Sequence, residues 1–451
     1  MDYKVLTSQI KAPERKKIKI DRQSGPSQQS CHSSQGTQDK LEIHTQFHPS
    51  RRPHLYKIRC SNDCRSYPRR RQNSLVYNLM ERQLGRGNID NLLRIAENIS
   101  IARASVCKRA IRLPTEAKCT IAVTVGENDT VISTHGGDHT VKISSYFTGE
   151  VKATLARHVR TPWTIAIHPE HSALIASGCL NGTVCVWLNG QLYREALIRE
   201  ELIMSLNFFL NKTTKQSFLI LALRKVIWFW DYEDEAAQPE PVLERLGRVQ
   251  CICFSPFFNF MISAEQSPPD GSTCQVSCWK SVSQEEDIFP IKKDKPLKHL
   301  LVLDRAVLYS DGGLSLSKCG RFLLVIRRSS HNSELLVLSL QTQSFGKVIR
   351  KTLLTPPLSS GITSVKFSPT SDHIVCGYGV THRQTIGQEP KHKCFLSFFS
   401  NYFEDGEELK LISSHCSPEN ESDDVNVAIF YPKPGFGILF GTRQGPLKIL
   451  G

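Results

Sequence analysis

From about residue 118 onward the sequence predicts an all-β fold, a single β-propeller of about seven blades. Three observations carry this expectation. Short runs of β-branched and aromatic residues recur with turn residues between them, and the runs group in threes. Several first runs also end alike, in an apolar residue, one spacer and a proline: Ile167-His168-Pro169, Phe254-Ser255-Pro256, Phe367-Ser368-Pro369 and Phe430-Tyr431-Pro432. Proline cannot donate to a ladder, so it marks a strand end and forces the turn. A sheet of three or four strands cannot bury both faces alone, whereas sheets stacked radially bury them against their neighbours.

Two segments precede the strands. Residues 1–83 are rich in Ser, Gln, Arg and Pro with few periodic apolar positions, and are expected to be a disordered basic tail. In residues 84–113 the period is helical. Ile89, Leu92, Leu93, Ala96 and Ile99 recur at i, i+3, i+4, i+7 and i+10 and make one apolar face. Asn88 is the expected N-cap.

Residues 114–451 are then assigned to the propeller. The first triplet is Thr120–Val125, Thr130–Thr134 and Thr140–Ser144; the second is Trp163–Ile167, Ala173–Cys179 and Thr183–Trp187. The third is Ile203–Phe209, Ser217–Leu223 and Val226–Trp230, and the fourth Val249–Phe254, Phe260–Ala264 and Cys274–Trp279. After a charged loop come Gly313–Ser317, Phe322–Ile326 and Leu335–Leu340, then Ile362–Phe367, Ile374–Gly377 and Cys394–Phe399. The last is Asn426–Phe430, Gly437–Gly441 and Leu447–Leu450. The period is about 43 residues early and about 60 late. The excess lies in the polar segments Ser281–His299, Thr381–His392 and Ser413–Asp424.

The 451 residues hold 57 Lys+Arg against 43 Asp+Glu, a formal charge of +14. Residues 1–113 hold about 23 basic and about 9 acidic residues, so roughly +14, and the remainder is close to neutral. Two runs concentrate the excess: Arg15, Lys16, Lys17 and Lys19, then Arg69, Arg70 and Arg71. They read as nuclear localisation signals; nucleic-acid binding through the tail is the alternative, with no folded module to accompany it. No apolar run reaches the ~18–20 residues of a membrane span, and the first residues lack a signal-peptide core. The 15 Cys, scattered through apolar stretches, fit buried free thiols of a reducing compartment. A cytoplasmic and nuclear protein is expected.

The second repeat has the shape of a WD40 repeat. His158 precedes its first strand, Ser177 lies in the second, Asn181 takes the place of the usual turn aspartate, and Trp187 ends the third. In that pattern these four form a buried hydrogen-bond relay. The wording Arg160-Thr161-Pro162-Trp163, then His168-Pro169, then Leu174-Ile175-Ala176-Ser177-Gly178-Cys179-Leu180 resembles the Ambra family, the activating molecules in Beclin-regulated autophagy. The segment Pro432-Lys433-Pro434-Gly435-Phe436-Gly437-Ile438-Leu439-Phe440-Gly441-Thr442 is similar to that family's last blade. The resemblance runs from about residue 84 to the end, with these two repeats as its specific parts.

The resemblance implies a non-catalytic substrate receptor of a cullin-RING ubiquitin ligase, docked through a DDB-type propeller adaptor. It also implies substrates such as D-type cyclins and a link to autophagy initiation. An N-terminal helical segment inserts into the adaptor's groove in that family, which assigns adaptor binding to Ile89, Leu92, Leu93, Ala96 and Ile99. Animal members carry a long disordered insert midway through the propeller, where this chain has Ser281–His299.

Other residue patterns carry less chemistry. Arg160, in the turn before a blade, and the pair Arg327-Arg328 are candidate substrate-binding positions, since paired guanidinium groups suit bidentate recognition of anions. Arg327-Arg328 also supports an alternative reading as a phosphoinositide-recruited autophagy scaffold, although a serine follows where lipid-binding propellers have glycine. His48, His54, Cys60 and Cys64 match no compact zinc spacing, so no metal is expected. Cys274 and Cys278 read as core. Tyr3-Lys4-Val5-Leu6 has the aromatic-x-x-aliphatic form of a strand-addition peptide, a pattern common by chance. No nucleophile–base motif, Walker loop or dinucleotide fingerprint is present, and neither catalysis nor a cofactor is expected.

Overall fold

The computed structural model describes residues 89–451 apart from 106–107, 199–200, 212–213, 256–258, 268–272, 282–287, 290–296, 310, 330–331, 355–360, 380–391, 402–407, 419–423 and 446. The basic runs at residues 15–19 and 69–71, the His/Cys group at 48–64 and the segment 3–6 lie outside the described residues.

Among the described residues, one helix, α1 (Ile89–Arg103), precedes an all-β body. The strands form five four-stranded antiparallel sheets and one eight-stranded sheet, in which two four-stranded units are joined through the pair Ala306–Arg327. These are seven blades. Each predicted triplet supplies the three inner strands, and a fourth, outer strand follows it: Val151–Leu155, Gln191–Leu197, Glu240–Glu244, Lys298–Ala306, Val348–Leu354 and Lys410–Pro418 for blades one to six. The segment Ser413–Asp424, expected as a loop, is therefore strand as far as Pro418.

Blade seven takes its outer strand from the other end of the chain. Lys108–Ile111 pairs antiparallel with Leu447–Leu450, from Lys108 opposite Leu450 to Ile111 opposite Leu447. Residues 108–111, read from sequence as part of the helical segment, thus belong to the propeller. The sequence Lys-Arg-Ala-Ile buries only Ile111.

Seven apolar clusters fill the seams between the blades, and their membership shows that the ring closes. Ile132 and Val141 of blade one meet Ile175, Cys185 and Trp187 of blade two, and the seams run on through blades two and three, three and four, four and five, five and six, and six and seven. The seventh joins Val123 and Val131 of blade one to Val427, Leu439 and Ile449 of blade seven, with Ile111. Burying a core side chain of this size contributes about 1.5–3 kcal/mol, so the seams dominate stability. Packing is close enough to require glycine: a Cβ on Gly178 would lie 2.6 Å from a methyl of Ile203 in the next blade.

The innermost strands share an irregularity. The register slips near the start of the strand in blades two, three, four, six and seven, leaving Trp163, Met204, Gln250, Thr363 and Asn426 as bulge residues. Some of these stitch neighbouring blades together. Thr363 Oγ1 donates to Val425 O at 2.6 Å, and Asn426 Nδ2 donates to Thr120 O at 2.9 Å.

Two of the spacers before the prolines, His168 and Ser368, cap their turns. His168 Nδ1 accepts the backbone N–H groups of Glu170 and His171 at 3.1 and 3.0 Å, and Ser368 Oγ accepts that of His373 at 3.1 Å. No described helix is long and apolar enough to cross a membrane.

Candidate functional site

Helix α1 lies at the end of the blades that carries the turns between first and second strands. One face is bound to the propeller by both apolar and polar contacts. Ile101 and Ala104 enter the seam cluster of blades six and seven beside Phe398, Phe430 and Phe440. Ala96 lies against Gly435, which has φ +90° and where a Cβ would stand 3.0 Å from that of Ala96. Glycine supplies both the left-handed backbone and the close approach.

The polar contacts centre on Glu97, which is 1% exposed. Its carboxylate accepts hydrogen bonds from Thr370 N at 2.9 Å, Thr370 Oγ1 at 2.6 Å and His373 Nδ1 at 2.8 Å, all from the turn and second strand of blade six. His373 Nε2 lies 2.9 Å from Asn98 Oδ1. Arg94 pairs with Asp372 at 2.8 Å; burial holds the Asp372 carboxyl above its usual range, and the arginine opposes this. Four consecutive residues of one turn, Thr370–His373, are thus engaged by or adjacent to three helical residues.

Among the described residues nothing covers the opposite face of α1. Leu92, Ile95 and Ile99 follow at i, i+3 and i+7 and are 63%, 52% and 45% exposed. Of the predicted face, Leu92 and Ile99 point outward, Leu93 and Ala96 are half-buried toward the propeller side, and the side chain of Ile89 lies outside the described residues. Ile95 was missed. So was Glu97, because a helical carboxylate with no partner nearby in sequence reads as solvated.

The relay of blade two is three-membered. His158 Nε2 lies 2.6 Å from Ser177 Oγ, and Trp187 Nε1 donates to the same oxygen at 2.9 Å. Burial pushes His158 down to about 4, so it is neutral. Asn181 stays outside: its Oδ1 accepts from Thr183 N and from the Cys179 thiol and so shapes the turn. Asparagine cannot supply the charge that draws an aspartate toward the imidazole.

Blade four carries an unpredicted counterpart. Trp279 Nε1 donates to Ser263 Oγ at 2.8 Å, and the guanidinium of Arg245 lies 4.4 Å over the Trp279 ring while pairing twice with Glu265, at 3.0 and 2.8 Å. Arg245 stands where His158 stands in blade two. An arginine in the histidine place gave no motif to find.

The candidate anion-binding residues fare differently. Arg160 is exposed at the opposite end of the blades from α1, in the turn before blade two. Arg327 pairs with Glu334 at 2.5 Å across the ladder, which neutralises it, and Arg328 is exposed beside it. Cys274 and Cys278 are core residues of blade four, and burial pushes the Cys278 thiol up to about 12. Among the described residues no group of three or more His, Cys, Asp or Glu is placed to hold a metal ion.

The comparisons with known proteins agree with this architecture. The family model described as WD domain, G-beta repeat matches residues 149–187. That stretch holds the outer strand of blade one and the three inner strands of blade two, the same offset by which Lys108–Ile111 closes the ring. Two Danio rerio proteins match: "Activating molecule in BECN1-regulated autophagy protein 1B", 26% identical over 164 residues, and protein 1A, 27% identical over 162. Each match covers 35% of this chain and 12% of the relative, so this chain corresponds to a small part of those proteins. Among solved structures, the β-propeller domain of Myceliophteria thermophila Cps50 (Swd1) and U3-55K both superpose with a TM-score of 0.54, at 14% and 13% identity. Each covers 76% of this chain, and 99% and 98% of the solved chain; at such identity they show the fold alone.

Proposed function

This chain is a distant Ambra-like WD40 protein, and from that premise we propose that it is a non-catalytic substrate receptor of a cullin-RING ubiquitin ligase of the cullin-four type. It docks on the DDB-type adaptor through α1. The observation that carries the reading is the uncovered stripe Leu92, Ile95 and Ile99 on a helix whose other face is pinned to the propeller. A helix held rigidly and presenting apolar residues at i, i+3 and i+7 is the form recognised by an apolar groove. The receptor accelerates ubiquitin transfer by raising the local concentration of a substrate lysine, and needs no catalytic residue of its own.

The autophagy link is carried over from the relatives' names, and D-type cyclins from the family resemblance. The basic runs at residues 15–19 and 69–71 direct part of the pool to the nucleus, the remainder being cytoplasmic. The phosphoinositide reading loses its main support, because Arg327 is already held by Glu334.

Affinity purification of the full chain from cells tests the proposal, comparing wild type with Leu92→Asp/Ile99→Asp. Both positions are exposed, so the propeller should stay folded. Adaptor recovery should fall at least about tenfold, since placing two charges against an apolar groove costs several kcal/mol. Equal recovery from both would remove α1 from the docking surface.

A further inference from the structure

We propose that Arg248, at the end of the propeller opposite α1, binds an anionic oxygen group, a carboxylate or a phosphate, on a side chain of a bound protein segment. Arg248 immediately precedes the innermost strand of blade four, where the turns between outer and inner strands open. Four other partly buried guanidinium groups, those of Arg94, Arg194, Arg245 and Arg327, are each paired with a carboxylate at 3.0 Å or less.

Arg248 is half-buried as well, but its Nη2 donates to the sulfur of Met204 at 3.2 Å, and its Nε is buried with no hydrogen-bond partner. The charge beside it is another arginine. Arg224, whose Nε lies 3.6 Å from Glu201, adds a second positive charge next to it. Burial and Arg224 both hold the Arg248 pKa below the usual arginine value, with no acidic neighbour opposing them.

A partly desolvated cation without a counter-ion is a cost that the free protein carries and that an incoming anion relieves. Leu246, two residues earlier, is 80% exposed and offers an apolar contact next to the charge. The uncompensated charge and the adjacent leucine suit a peptide carrying an acidic or phosphorylated residue close to an apolar one. The site stands at the far end from α1, so its failure and that of the adaptor reading are separate results.

Thermal melts of the full chain at constant ionic strength test this, using inorganic phosphate as the probe, then a leucine-containing phosphoserine peptide and its glutamate counterpart. Without a probe, Arg248→Met should melt at or above the wild-type temperature, because it removes an uncompensated charge while keeping the apolar stem. Phosphate at about 20 mM should raise the wild-type midpoint by roughly 2 °C or more and leave that of Arg248→Met unchanged. The two peptides then decide between phosphate and carboxylate: the one that stabilises wild type but not the variant identifies the group. An equal response in both proteins, no wild-type response to any probe, or an Arg248→Met that melts several degrees lower or fails to fold would each overturn the proposal, the last marking Arg248 as structural.

Discussion

In a Glu97→Ala variant, α1 should detach from the propeller while the blades remain folded. Glu97 is buried and accepts three hydrogen bonds from Thr370 and His373. Truncation leaves those donors buried without an acceptor, a loss of about 3–5 kcal/mol for a buried pair broken on one side. On the apolar side the helix is held chiefly by Ile101 and Ala104, and a buried side chain of isoleucine size contributes only about 1.5–3 kcal/mol. The polar contacts are therefore comparable with everything else holding the helix. Amide hydrogen exchange should be about a hundredfold or more faster in residues 92–103 and unchanged in the inner strands. Unaltered protection of α1 would show that the apolar contacts suffice.

Acid should destabilise the propeller well before its carboxylates titrate. Burial pushes His135, His158 and His168 each down to about 4 from an ordinary 6.5. The unfolded chain takes up these protons first, so the stabilisation is fully present above pH 6.5 and is lost as pH falls toward 4. For His135 and His158, 0% and 7% exposed, the loss is roughly 3 kcal/mol each across that window. His168 adds to it. Asp129 and Asp138 act in a lower window: the hydrogen bond from Tyr431 holds the Asp129 carboxyl below the usual range, and at Asp138 burial is outweighed by Lys142 and Thr140. The urea midpoint should thus fall steeply between pH 7 and 5. A midpoint constant over that range would mean that the imidazoles titrate in the folded protein as they do in the unfolded chain.

The inner strands were legible because they are buried on both sides and read as apolar runs, as in Ser217–Leu223, where all seven residues are buried. The outer strands were not. Glu240–Glu244 has no buried residue and carries a proline, so nothing in its pattern separates it from a loop. Lys108–Ile111 was harder still, since its partner is more than three hundred residues away and only the closure of the ring makes it a strand.

Helix α1 was visible from its period, but its orientation was not. Counting apolar residues turns the predicted face inward or outward with equal ease. What decides is a carboxylate on one side and a threonine–histidine turn on the other, separated by 273 residues or more. His158, Ser177 and Trp187 were found because their pattern is local and standard; Arg245 with Glu265 was hidden because the residue types differ while the geometry is kept.

The central claim, that a propeller-pinned α1 presents Leu92, Ile95 and Ile99 to the ligase adaptor, is tested most directly by titrating purified DDB-type adaptor into purified full chain. One-to-one binding to wild type, lost both in Leu92→Asp/Ile99→Asp and, through detachment of the helix, weakened in Glu97→Ala, is the predicted result. Absence of binding to wild type, or binding that neither variant alters, would contradict it.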